Sequence, residues 1–290
     1  MEKSFIEFMR DNGLSENTYK SYFNDIELFK KYYFDSYGEE LTKLIHNDIA
    51  MYKSYMRNNN FSSATINRKM SALKQYNLYL VENNIQKDII ILDKDYIKIQ
   101  KSIIEKDIPT AQQINKLLHA ASLNPKYAVR DYCLICLLVY CGLRESELIS
   151  LRLVDVKLDE QFLYVLGKGG KSRQIIINRV TYGAIKDYLE EREELDTKNP
   201  YLFVSQKGLK TDKPYHRSFC NNVLAEYETA STIKNLHPHK LRSYFCTNAL
   251  HNAGYTIDQV ANQAGHSSLN TTKGYLVNKK EDLLELANKL

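Results

Sequence analysis

The longest apolar run in the chain, Tyr132 to Leu143, constrains the fold more than any other stretch. It is about a dozen residues long, whereas a bilayer-spanning helix needs roughly 20. The run therefore reads as a strongly apolar helix from about Val129 to Tyr140, with Gly142 at its end or at a bend. With 290 residues and 43% hydrophobic content, the chain has enough material to bury a sizeable core. That length suits one large domain or two modest ones.

Three of the five cysteines, Cys133, Cys136 and Cys141, lie inside this run. Cys133 and Cys136 form C-x-x-C, but no second Cys or His pair stands at metal-site spacing, so core packing is the expectation. No secretory signal opens the chain. A reduced, soluble, cytoplasmic protein without membrane association is expected. Residues 1–100 carry 14 Lys+Arg and 14 Asp+Glu, so the net charge of +5 falls entirely in the remainder. An anionic partner feels its strongest pull there, although so mild a charge makes nucleic acid only one option.

Residues 1 to about 92 read as helices. Ser15 is a candidate N-cap, followed by Tyr19, Tyr22, Phe23, Ile26, Phe29 and Tyr33 at helical spacing. Asn47 to Met56 reads as another helix. A further one starts near Ser62 or Ser63, with Ile66, Met70, Leu73, Tyr76, Asn77 and Leu80 on one stripe and Arg68, Lys69 and Lys74 on other faces. Pro109-Thr110 signals a new helix start. The expected domains are 1–94 and 110–290, joined by a linker over 95–109. In the second, Phe162–Leu166 and Gln174–Ile177 flank a Gly-rich turn and predict a β-hairpin. Gly170-Lys171-Ser172 looks like the end of a phosphate-binding P-loop, but Val165 stands where that motif needs Gly, and a strand rather than a helix follows. A flexible tip carrying Lys168, Lys171 and Arg173 remains.

Several residues bear chemistry. In Leu236–Arg242, Pro238 takes a first helical position, which puts His239 and Arg242 three apart on one face of the opening turns. A helix N-terminus already attracts anions, so His and Arg there make a phosphate seat; a surface pair at a helix start is the plainer alternative. Arg144 follows Gly142 at the rim of the core, with Glu147 three residues on to brace it. Arginine suits a pair of phosphate oxygens, although such a pair also tidies a helix end. Gly265-His266 follows a short helix capped by Thr256, and Tyr275 stands nine residues beyond. A tyrosine is an oxygen nucleophile once its proton is lost, but with 22 tyrosines no single one stands out by itself.

Taken in order, these motifs resemble the tyrosine recombinase (phage integrase) family, in particular its small Xer-like and cointegrate-resolvase-like members. Arg144 stands in a G-L-R-x-S-E-L box and Lys168 in a G-K-G-x-K-x-R hairpin 24 residues later. His239 and Arg242 form H-x-L-R, His266 stands in G-H, and Tyr275 follows. The N-terminal stretch Ser62–Leu80 resembles the family's helical DNA-clamping domain. The resemblance implies a mainly α fold, with that clamping domain plus a mixed α+β catalytic domain holding a small antiparallel sheet. One departure is Ser243, where many relatives carry His directly after the second arginine; it puts one supporting hydrogen bond in question.

By this resemblance the chain is a site-specific recombinase. Tyr275 attacks a scissile phosphate to form a 3′-phosphotyrosyl bond, and the freed 5′-hydroxyl later reverses the step on a partner duplex. Arg144, Arg242 and His266 stabilise the transition state, Lys168 is the general acid, His239 accepts a proton or orients the phosphate, and Glu147 positions its neighbours. Bond energy is conserved in the covalent intermediate, so no cofactor, ATP or metal is implied. Thr65, Arg68 and Lys69 are expected to meet double-stranded DNA from one side, and Lys171 and Arg173 from the other. The leucine-striped segment Glu281–Leu290 either packs on its own domain or docks a neighbouring protomer. Docking implies a homo-tetramer, or a hetero-tetramer with a related recombinase, on two duplexes, with accessory DNA-binding proteins as further partners. The expected task is resolution of replicon dimers or transposon cointegrates. Integration of a mobile element, a non-cutting DNA-binding protein and a type IB topoisomerase-like relaxing enzyme are the alternatives.

Overall fold

The computed structural model describes residues 4–98, 107–167, 170, 172–205, 210–266, 268–273 and 275. The chain divides into two compact units, Met1–Ser102 and Ile103–Leu290.

Four helices build the first unit: α1 (Phe5–Asp11), α2 (Glu16–Tyr37), α3 (His46–Asn58) and α4 (Ser63–Glu82). Their ends follow local chemistry. Ser4 and Glu7 close a capping box on α1, the Ser62 hydroxyl accepts the Thr65 N–H at the start of α4, and Gly38 ends α2 at φ 72°. The stripe Ile66, Met70, Leu73, Tyr76, Asn77 and Leu80 is buried as its spacing predicts, in one core with Phe5, Phe8 and Met9 of α1, Ile26 and Phe29 of α2, and Tyr52 and Met56 of α3. Asn77, fully buried, accepts the Ile90 N–H at 2.7 Å and donates to the Asp88 carbonyl at 3.2 Å. Tyr96 and Ile97, within the stretch read as a linker, pack on this core, and Asn67 exchanges two hydrogen bonds with the Ile97 backbone.

The second unit is organised around the apolar run. It forms α6 (Ala128–Tyr140), in which every residue from Cys133 to Val139 is buried. Around it pack α5 (Ala111–Ser122), α8 (Arg179–Glu193) and α10 (Pro238–His251). Thr110 and Gln113 form the capping box that starts α5, one residue past Pro109. All five cysteines are buried free thiols, and burial pushes Cys136 up to about 12, which suits packing rather than reactivity. Between α6 and α8 come the short α7 (Glu145–Ile149) and an antiparallel sheet of β1 (Val156–Lys157), β2 (Phe162–Leu166) and β3 (Ser172–Ile176). The hairpin read from the sequence is β2–β3; β1 extends it through Val156 opposite Leu163. Helices α9 (Phe219–Ser231), α11 (Ile257–Ala264) and α12 (Leu269–Lys273) complete the unit as described. Among the described residues no helix is long and apolar enough to cross a membrane.

Candidate active site

Pro238 occupies the first turn of α10, where its missing N–H costs nothing, and His237 precedes it in an extended conformation. His239 is exposed at the helix start, whereas Arg242 is 2% exposed one turn further in. The Arg242 guanidinium donates through Nη1 to the Gly142 carbonyl and through Nη2 to the Ala264 carbonyl. Gly142, just beyond α6, has φ 62°, and a Cβ there would sit 2.3 Å from the Phe245 ring. Glycine is thus required twice over, for the backbone and for the close approach. Burial, reinforced by the nearby Arg144 charge, lowers Arg242 to about 10, still protonated at neutral pH.

Arg144 precedes α7, and its guanidinium donates to Glu147 Oε1 at 2.7 Å and to the Gly265 carbonyl. Glu147 Oε2 also accepts the Arg144 backbone N–H at 2.8 Å. The same carboxylate is gripped from the sheet by Arg173, Nη1 to Oε1 and Nη2 to Oε2, both at 2.9 Å. Arg173 Nε completes a clamp on the Gln263 carbonyl at 3.0 Å. Glu147 is 4% exposed. Burial pushes its carboxyl up, but the Arg173 hydrogen bonds, the Arg144 N–H and the two positive charges outweigh it, so its pKa lies below the ordinary 4.5. One carboxylate therefore locks α7, β3 and the end of α11 together.

These anchors leave Arg144, His239 and Arg242 around one cavity of about 180 Å³, lined also by His237, Asn221 and Glu145. A helix N-terminus, two guanidiniums and two imidazoles suit an anion of phosphate size. A larger cavity of about 540 Å³, between Asp196–Asn199 and Lys210–Asp212, contains none of the candidate residues.

His266 follows Gly265, which ends α11 at φ 64°, and its Nδ1 lies 2.8 Å from the Thr272 hydroxyl. The Tyr275 ring lies nearly parallel to it, at 6° and 6.1 Å between centroids. Tyr275 is 5% exposed and packs with Phe245, Cys246, Ala249, Val260 and Ala264. Its phenol oxygen is 3.5 Å from the hydroxyl of Ser243, the residue after Arg242.

Four residues expected to meet DNA have partners within the protein. Arg173 is not a free tip residue: it stands two residues before buried Ile175, and side chains two apart share a face. That parity turns it inward onto Glu147, leaving it 15% exposed. Lys69 is 4% exposed, with Nζ 2.9 Å from Asp25, so it is an internal ion pair of the first unit rather than a DNA-facing lysine. Arg68, 44% exposed, also pairs with Asp25 and with Ser21. Thr65 serves the α4 cap, its hydroxyl 2.9 Å from that of Ser62. Lys168, Lys171 and the segment Glu281–Leu290 lie outside the described residues. The reading of single residues missed the carbonyls of Gly142, Ala264 and Gly265 as arginine anchors; the positive-φ glycines were the available signal for two of them.

The phage integrase family model matches residues 108–282, and the model of the phage integrase N-terminal SAM-like domain matches residues 3–84. A protein named TnP I resolvase from Bacillus thuringiensis is 35% identical over 292 residues, covering 99% of this chain and 98% of the relative. Tyrosine recombinase XerD of Oceanobacillus iheyensis is 30% identical over 94% of this chain and 92% of its own length. In fold, the chain resembles the XerH site-specific recombinase in its post-cleavage complex with palindromic difH DNA, with TM-score 0.75 and 21% identity over 98% of this chain and 94% of that one. The chain thus matches family models in both of its units and a relative over nearly its whole length, and it belongs to the phage integrase family, the tyrosine site-specific recombinases.

Proposed function

We propose that this recombinase resolves transposon cointegrates or replicon dimers, and that Tyr275 is the residue that joins DNA. The observation that carries the reading is the meeting of Arg144, His239 and Arg242 at one cavity, with the Tyr275 phenol against the residue next to Arg242. A phosphodiester in that cavity receives the outer N–H groups of both arginines while their inner ones stay on Glu147, Gly142, Ala264 and Gly265. Five donors per guanidinium allow both. The phosphate oxygens gain charge as Tyr275 attacks, and donors already fixed in place stabilise that charge without reorganising. In attack the phenol oxygen, still beside Ser243, meets the phosphate held by Arg242. The 5′ oxygen departs with a proton from Lys168, and reversal by the 5′-hydroxyl of the partner strand restores the tyrosine. His266 and His239 orient the phosphate and carry the phenol's proton.

The name of the Bacillus thuringiensis relative favours resolution over integration. Assembly of four protomers on two duplexes in the cytoplasm, through Glu281–Leu290, completes the proposal. The test begins with a duplex site selected by the protein from a random library. A supercoiled plasmid carrying two direct copies of that site should give two smaller circles with wild type and none with Tyr275→Phe, which still binds. Equal resolution by Tyr275→Phe removes the tyrosine from its role. Relaxation of a plasmid lacking the site, with no resolution, would make the protein a relaxing enzyme instead.

A further inference from the structure

His239, Arg242 and Ser243 are spaced i, i+3 and i+4 along α10, so they share one face of the helix. Two of them line the cavity. The third, 9% exposed, meets the Tyr275 phenol. Phe245, Cys246, Ala249, Val260 and Ala264 pack around the ring, and His266 lies parallel to it. Its backbone is held separately, by the Thr272 carbonyl, 2.9 Å from the Tyr275 N–H, and by His251 Nε2, 3.0 Å from the Tyr275 carbonyl.

We propose that Ser243 is a positioning residue for the nucleophile, its hydroxyl keeping the phenol of Tyr275 on the His239–Arg242 face of α10. The inference rests on the reading of Tyr275 as the nucleophile. A hydroxyl is suited to this because it both donates and accepts. It accepts from the phenol at rest and, by rotating its own hydrogen, donates to the oxygen once the phenol proton has left. An arginine or lysine supplies only the second bond, and alanine neither. The 3.5 Å separation exceeds the roughly 2.7–2.8 Å of a strong hydroxyl pair. A long contact of this kind is common before substrate arrives and tightens when it does.

The test uses the full chain with Ser243→Ala and Ser243→Thr, each prepared with and without 3-fluorotyrosine at position 275. In the free proteins the fluorine resonance should move in Ser243→Ala and return toward the wild-type position in Ser243→Thr. On a nicked duplex of the selected site, Ser243→Ala should form covalent adduct roughly three- to tenfold more slowly, the worth of one such bond. Its DNA affinity and melting temperature should stay at wild-type values, and Ser243→Thr should recover most of the rate. Wild-type or faster cleavage by Ser243→Ala, or a Ser243→Thr as slow as Ser243→Ala, overturns the proposal. If wild type forms no adduct through Tyr275, the nucleophile assignment itself fails and takes this one with it, a result distinct from equal adduct in both proteins.

Discussion

Replacing Glu147 by glutamine tests the carboxylate that links Arg144 to Arg173. Glu147 is 4% exposed and accepts four N–H groups, at 2.7 and 2.8 Å from Arg144 and at 2.9 Å twice from Arg173. The glutamine would keep the shape but lose the charge and one acceptor oxygen. Arg144, Arg173 and Arg242 would then face one another with no counter-charge among these four residues. Removing one partner of a buried pair costs about 3–5 kcal/mol. For a unit of this size that lowers the melting temperature by about 6–20 °C. Thermal melts at pH 7 read the loss directly. Added sulfate should recover more of it in Glu147→Gln than in wild type, because an anion in the cavity replaces the missing charge beside Arg144. The acid limb gives an independent check. The Glu147 pKa is held below the ordinary 4.5, so its contribution is fully present above 4.5 and is lost as pH falls through the lowered value in the folded protein. The gap between wild type and variant should therefore close below about pH 4.5. A variant that melts within 2 °C of wild type at pH 7 (about 1 kcal/mol or less) would refute the idea that this carboxylate holds the arginines in place.

Three further outcomes follow from the same geometry. Gly142→Ala should destabilise the second unit by about 2–4 kcal/mol in urea unfolding, from a side chain at positive φ and a clash with Phe245; wild-type stability would show that the loop yields freely. Lys69→Met should cost about 3 kcal/mol while leaving the salt dependence of DNA binding unchanged, since Lys69 is spent on Asp25; a shallower salt slope would return it to the DNA face. Arg242 is lowered to about 10 from an ordinary 12.5, so between those values the unfolded chain binds more protons and stability rises with pH. Wild type should accordingly gain on Arg242→Met above about pH 10, and parallel curves would mean the buried charge is not strained.

Much of this architecture is legible from local pattern. The α6 run, the Thr110 and Thr256 caps, the Ser62–Leu80 stripe and the β2–β3 hairpin all follow from periodicity and cap chemistry acting within a few residues. Glu147 as a neighbour of Arg144 is likewise visible, three apart across the start of α7. Its second partner, Arg173, is 26 residues away, and only tertiary packing brings it in. Strand parity with Ile175 nevertheless carried a hint, outweighed by the flexible look of the Gly-rich turn. Lys69 misled for the converse reason: helical spacing marks it as off the apolar stripe, and nothing local reveals that Asp25 waits on α2. The backbone carbonyls that seat Arg242 and Arg144 are invisible to any reading by residue type, because every residue carries one. The same holds for Ser243, which the family pattern marks only as a departure and the packing turns toward Tyr275.

Mapping the DNA–protein bond tests the central claim most directly. Wild type trapped on a nicked duplex of its selected site, digested with trypsin and nuclease and sequenced by mass spectrometry, should carry its nucleotide on the peptide that follows Lys273, at Tyr275. A nucleotide on any other residue, or an adduct of equal yield from Tyr275→Phe, would contradict the account.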